Sequence, residues 1–405
     1  MGEKQLEILF LTARFPYPLI GGDRVKPHYL LKHLSEKHKI TLVSFHQGEE
    51  IKAEDRAIIE NMGLDVHIIK LNPLKAAANL SFKHLFSLPL EIGYYYQNPF
   101  KRKVEELFKA KKFDLCFAFF MRTAEYLKNK KIPKVLIAED CRALYQKRSF
   151  EESNHLLQKA VRFWEYKMLC KYEKKIVDYF DFVTFVTEQD IASMRLYNSK
   201  ANYFLLTNGT DVNHFKPSES DISSREGVLF SGKLDIWANE IMLQRIINKI
   251  HPIVKKDLPN AILNIVGANP RQNIRSLSTQ DIVLDFNVPN MLPFLQKARV
   301  FLHPHTGATG IQNKVLEAMS CACPVVTTPT GIQGIDAVHN VHCLIGESDK
   351  ELAKHTIELL KNNDLANKIS RNARQLIVET HSWEFVNHQL DELVARTLQA
   401  ERLAV

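Results

Sequence analysis

The sequence predicts an α/β protein built as two doubly wound, Rossmann-like domains facing across a cleft. Three observations point there. Apolar runs rich in β-branched and aromatic residues recur along the chain, helical patterns separate them, and the series runs twice. Continuous apolar strands alternating with helices mean parallel sheets covered on both faces. Two such series mean two domains, and 405 residues are too many for one ordinary core.

In chain order, the first series places strands at Leu6–Thr12, Ile40–Phe45, Asp65–Leu71, Leu115–Phe120, Lys134–Ala138, Phe182–Val186 and Tyr203–Leu206. The second places them at Gly227–Ser231, Ala261–Val266, Ile282–Leu284, Val300–Leu302, Pro324–Thr327 and Cys343–Ile345. Between the series lies "NGTDVNHFKPSESDISSREG" (208–227), where turn-forming residues cluster and the apolar pattern stops. The expected organisation is an N-terminal domain over 1–207, a hinge over 208–226 and a second domain over 227–382. A last helix, about 383–405, follows "THSWE" and is expected to pack back on the first domain.

No apolar run is long enough to cross a bilayer. The opening "MGEKQLEILFLTARF" has a short apolar segment preceded by acids and reads as a first strand, not a signal peptide. Six cysteines at 116, 141, 170, 321, 323 and 343 follow neither a disulfide framework nor a zinc spacing. Reduced, mostly buried thiols of a cytoplasmic protein are expected. The net charge is +8 and uneven: residues 1–210 hold 34 Lys+Arg against 25 Asp+Glu, about +9, leaving about −1 for the rest. Such an excess suits an anionic membrane surface or a phosphorylated acceptor, or simply a basic soluble protein. Nucleic acid is not expected, because no zinc finger, aromatic RNA-binding signature or helix-turn-helix pattern occurs. In 79–113, Lys101, Arg102, Lys103, Lys109, Lys111 and Lys112 interleave with Phe82, Phe86, Tyr94, Tyr95, Tyr96 and Phe100. That pattern fits docking on anionic lipid, or a helix with a solvated basic face.

Ligands of open α/β sheets bind beyond the carboxyl ends of the strands, so the loops there are the candidates. "TGATGIQNKVLEAM" (306–319) places Gly307 and Gly310 before a helix expected to begin near Ile311. Free N–H groups and a partial positive charge at that helix start make a seat for pyrophosphate. Glu317 shares a face with Asn313 and Lys314, where a carboxylate can hold a vicinal diol such as a ribose. The plain alternative is a capped amphipathic helix. "FPYPLIGGDR" (15–24) puts Gly21 and Gly22 before another helix, either as a phosphate or sugar loop or as an ordinary turn. "LFSGKLDIWANE" (229–240) puts Lys233 at a strand end, where it can neutralise a leaving pyrophosphate. No G-x-G-x-x-G or G-x-x-x-x-G-K-[ST] sequence occurs, against NAD-dependent or ATP-driven chemistry.

Taken together, "PLIGGDR", "LTNGTDVNHFKP", "FSGK", "GIQNKVLEAMSCACPVVTTPTGIQGI" and "HSWE" resemble the family 4 glycosyltransferases of the two-domain GT-B fold. The wording "GIQNKVLEAM" and "YYQNPFKRKVEELF" is similar to bacterial sugar transferases associated with exopolysaccharide export. The resemblance implies a retaining transfer of a hexose-type sugar. A helix start with Lys233 would stabilise the leaving diphosphate without a metal, in keeping with the lack of a D-x-D pair positioned for one. The donor would be a UDP- or GDP-linked nucleotide sugar, with no other cofactor. The acceptor would be a glycan or lipid-linked sugar in cell-surface polysaccharide synthesis, at the cytoplasmic face of the membrane. It implies Glu317 on the ribose, Gly310, Ile311 and Gln312 around the diphosphate, Lys233 on that diphosphate, and Gly21 and Gly22 near donor and acceptor. Thr309 stands where the family usually has a first glutamate, and a second basic residue is missing from "IWANE". Glu139 and Asp140 occupy the place of a histidine near the reacting sugar, with Asp140 positioned to stabilise that sugar or orient the acceptor hydroxyl. A catalytically silent nucleotide-sugar-binding subunit, or an epimerase or hydrolase on the same fold, is the alternative.

Overall fold

The computed structural model describes residues 4–48, 50–74, 87–151, 153, 156–219, 221–307 and 309–404. The chain divides into two compact units, 1–207 with 387–405, and 208–386.

Unit 1 holds a seven-stranded sheet: β1 (Glu7–Thr12), β2 (Lys39–His46), β3 (Asp65–Lys70), β4 (Leu115–Phe119), β5 (Lys134–Glu139), β6 (Phe182–Phe185) and β7 (Tyr203–Leu205). Their order is β3-β2-β1-β4-β5-β6-β7, and every pairing is parallel. Unit 2 holds β8 (Glu226–Lys233), β9 (Leu263–Ala268), β10 (Ile282–Phe286), β11 (Ala298–His303), β12 (Val325–Thr327) and β13 (Leu344–Ile345) in the order β10-β9-β8-β11-β12-β13. These pairings are parallel too. Both sheets reverse direction beside their first strand, the doubly wound pattern. All thirteen expected strands are present, within a few residues of their expected bounds. Central strands are buried on both faces, as Ile8 to Leu11 and Val300 to Leu302 show. That is why they read as unbroken apolar runs rather than alternating ones.

Residues 208–226, which the composition marks as a hinge, fold into unit 2. The N–H of Thr210 donates to the His381 carbonyl at 2.7 Å, and Arg374 donates to the carbonyls of Val212 and Phe215. The last helix runs Trp383–Ala404, and from Asn387 onward it counts with unit 1. There the Thr207 N–H donates to Gln389, and Asp391 pairs with His33 and Lys37, each at 2.8 Å.

The aromatics of 79–113 are a correction. Phe82 and Phe86 lie outside the described residues. Phe100 is fully buried, 4.3 Å from the Phe45 ring and 4.5 Å from Tyr126, and Tyr95 is buried beside it. Tyr94 and Tyr96 pack partly buried on the same core. These rings cover the sheet, leaving only a basic face on the helix Asn98–Ala110, where Lys101 and Lys103 pair with Glu105 and Glu106. The cysteines are free thiols, five buried and Cys170 partly so. Among the described residues, no helix is long and apolar enough to cross a membrane.

Gly267 on β9 lies so close to β8 that an added Cβ would sit 2.2 Å from the Gly232 carbonyl oxygen and 2.7 Å from the Leu234 side chain. Backbone cannot yield as a side chain would, so Gly267→Ala should destabilise unit 2 by about 1–3 kcal/mol. A denaturation midpoint equal to wild type would refute this.

Candidate functional site

In unit 2 the strand order reverses between β8 and β11, and the loops after these two strands diverge there. Lys233 ends β8, half-buried. After β11 the chain runs through His305 and Gly307, whose N–H donates to the His305 ring, to Gly310. Gly310 has φ +65°, a conformation that suits glycine. Thr309 and Ile311 flank it, Thr309 half-buried and Ile311 buried.

The helix begins at Asn313, not near Ile311, because Gln312 stays extended as its N-cap. Its free first-turn N–H groups follow directly on the Gly310 turn. Asn208, from the far end of the unit in sequence, donates its side-chain amide to Asn313 at 3.0 Å and its carbonyl receives the His381 ring.

Lys314 lies in the first turn. Its ammonium donates to Asn239 at 2.8 Å, and Asn239 in turn donates to the Lys233 carbonyl at 2.8 Å. An added Cβ on Gly232 would be 3.2 Å from that ammonium, so glycine at this strand end leaves it room. One turn on, half-buried Glu317 is the charge that favours ionised Lys314. Burial pushes the Glu317 carboxyl up to about 7 and draws Lys314 down to about 8, with their attraction offsetting part of each shift. His303, fully buried at the end of β11, is held neutral by burial and then by the nearby charge of Lys314. The arrangement gathers a positively biased helix start, the Lys314 ammonium and a carboxylate titrating near neutrality, with the Lys233 strand end alongside.

In unit 1, Gly21 has φ +97° and is the N-cap of the helix Gly22–Lys37, and Arg14 pairs with Asp23 at 2.8 Å across the loop. From this helix Lys26, buried, reaches Glu139 at 2.6 Å and donates to the Leu206 carbonyl at 2.7 Å. Burial lowers Lys26 and raises Glu139, while their contact opposes both shifts. Glu139 therefore already serves as partner to Lys26, at φ +72°, rare for a residue with a side chain. Asp140 sits 3.4 Å from Arg142. Arg142 and Arg122 both grip Glu91. Burial alone would raise Glu91, yet the two guanidiniums hold it at about 2.

The structure thus brings Lys233, Gly310, Ile311, Gln312, Asn313, Lys314 and Glu317 to one edge of the unit 2 sheet. Gly21, Gly22, Glu139 and Asp140 lie at the corresponding edge of the unit 1 sheet. Sequence reading missed Asn239, Asn208, His303 and Lys26. The "IWANE" segment drew notice only for lacking a base, and Asn239 within it carries the oxygen that holds Lys314.

Lys26→Met should leave a buried carboxyl without its counter-charge and cost roughly 3–5 kcal/mol. The double variant Lys26→Met/Glu139→Gln should recover much of that in a denaturation experiment. Equal losses in single and double variants would show that the two side chains are not coupled.

Residues 225–362 match the family described as Glycosyl transferases group 1. Over 391 residues the chain is 25% identical to an uncharacterized 44.6 kDa protein in the cps region of Klebsiella pneumoniae, covering 93% of this chain and 96% of that one. Among solved structures it resembles sucrose-phosphate synthase of Thermosynechococcus elongatus, with TM-score 0.72, 14% identity and coverage of 98% and 100%. It also resembles Anabaena Alr3699/HepE in complex with UDP-glucose, with TM-score 0.66, 15% identity and coverage of 97% and 100%.

Proposed function

We propose, from the match of residues 225–362 to the Glycosyl transferases group 1 family and from the GT-B fold, that the chain transfers a sugar from a UDP-linked donor held against Gly310–Glu317. The observation that carries the proposal is Glu317, half-buried one turn beyond Lys314 on the helix behind the Gly310 turn. A carboxylate there accepts two hydrogen bonds from a ribose diol, while the helix start takes the diphosphate. UDP is favoured as the nucleotide because the similar Anabaena protein was solved with UDP-glucose.

Cleaving the sugar–diphosphate bond puts negative charge on the leaving oxygen. Lys233, Lys314 and the helix start would stabilise it, and this set needs no metal ion. Asp140, held by Arg142, would stabilise the positive charge on the sugar or orient the acceptor hydroxyl. The reaction is proposed to retain the anomeric configuration. The acceptor is proposed to be a glycan or lipid-linked sugar of a cell-surface polysaccharide, which the cps-region relative supports. Thr309 favours a second reading, a subunit that binds the nucleotide sugar without turning it over, and measurable transfer decides between the two.

Glu317→Ala should weaken UDP binding by about 10–150-fold, the loss of charge-assisted hydrogen bonds worth roughly 1.5–3 kcal/mol. In wild type the carboxyl must ionise to bind. Affinity should therefore fall as pH drops through about 7, and Glu317→Gln should lose this part of the pH dependence. Titration calorimetry from pH 6 to 8.5, about this value, tests both, and an unchanged dissociation constant in Glu317→Ala removes the assignment.

Lys233→Ala should lower turnover at saturating donor more than it lowers donor affinity, because its charge matters most as the bond breaks. The assay is run in EDTA, where wild type should keep its rate. Reduced affinity with unchanged turnover would make Lys233 a binding residue only.

A further inference from the structure

We infer that unit 1 carries a second ligand site, a basic cavity at the amino-terminal edge of its sheet that takes an anionic amphiphile, one phosphate or carboxylate head on an aliphatic chain. The cavity holds about 690 Å³, within the range of small-molecule sites. Leu6, His38, Asp114 and Pro133 line it, each the residue just before β1, β2, β4 or β5. Gly21, Gly22, Glu139 and Asp140 belong to the opposite edge, separated by the length of β1, about 20 Å at roughly 3.3 Å per residue. The cavity is therefore distinct from the candidate site residues of unit 1, and nothing in it rests on the donor reading.

Its charge is not self-compensated. Six lysines line it against two aspartates. Both aspartates are already engaged: Asp114 takes Lys4 and the Glu7 N–H, and Asp391 takes Lys37 and His33. Lys111 pairs with Asp65. Lys112, Lys130 and Lys131 have no carboxylate within ion-pair reach among the described residues. Three ammonium groups over one concavity favour an anion, and none of the cavity's own carboxylates is left to supply it.

The rest of the lining decides what else the anion carries. The Phe108 and Phe113 rings pack edge to face with centroids 5.4 Å apart, and Lys130 covers the Phe108 ring at 4.5 Å, so that ring is not open to a planar base. What remains is aliphatic: Leu6, Ile132, Val394 and Leu398. Lysine stems and branched side chains around a charged rim suit an alkyl chain with an anionic head. The basic end of residues 79–113, Lys111 and Lys112, thereby acquires a role that its buried aromatics do not share.

The test is calorimetric titration of the full chain with monomeric dodecyl phosphate, alongside inorganic phosphate and dodecyl maltoside. Dodecyl phosphate should bind at least about tenfold more tightly than either, and more weakly as salt rises. The triple variant Lys112→Glu/Lys130→Glu/Lys131→Glu should lose about tenfold or more of that affinity. So should Ala395→Trp, which fills the cavity from an exposed helix position without touching its charges. Both variants should keep the wild-type denaturation midpoint, which shows that they are folded, and should titrate with UDP as wild type does if the donor site is separate. Should the triple variant fail to fold, Ala395→Trp decides alone. Equal binding of dodecyl maltoside, equal binding of inorganic phosphate, no binding of dodecyl phosphate, or full binding by Ala395→Trp would each overturn the proposal.

Discussion

Parallel pairing is the constraint from which the rest of each unit follows. It puts every strand's carboxyl end on one edge, and reversal of the strand order beside the first strand parts the loops there. Because helices cover both faces, polar chemistry has no place along the strands and is displaced to their ends. Four of the six non-glycine residues with positive φ among the described residues lie at the same edge. Phe120, Glu139, Asn269 and Asn287 all have positive φ, and they close β4, β5, β9 and β10. A residue with a side chain holds such a conformation only where its surroundings over-determine it.

Two buried carboxylates, one in each unit, are answered differently. Glu91 is answered by two guanidiniums, which outweigh its burial and make it a fixed anion. Glu317 is answered by one ammonium that also serves Asn239, and burial prevails, leaving the carboxyl near 7. The first arrangement is a structural clamp. The second leaves a group whose ionisation costs little near neutral pH, so an incoming hydrogen-bond donor can set its state.

Strand positions were legible because a strand buried on both faces leaves an unbroken apolar run that needs no partner to be recognised. Glu317, Lys314 and the Gly310 turn were legible because their spacing is local. The helix start was misplaced by two residues, since nothing local shows that Gln312 remains extended after Gly310. The packing of the aromatics at 94–100 was not legible for a related reason. Alternating rings and lysines describe a lipid-facing surface and a core-covering helix equally well, and contact with Phe45 and Tyr126 decides. Asn208, Asn239 and Lys26 act through partners distant in sequence, and a lone amide or lysine carries no periodic signal.

The last helix bears on how the protein is made. Residues 207 and below form seven strands, yet Gln389 and Asp391 supply hydrogen bonds that complete the same unit. A chain emerging from the ribosome ordinarily folds its leading domain while the next is still being synthesised. Here the leading unit must wait, with the face that Val394 and its neighbours will cover still open, until the whole of unit 2 has been translated. Unit 1 is thus completed by the last residues to be made, across the full length of the intervening unit.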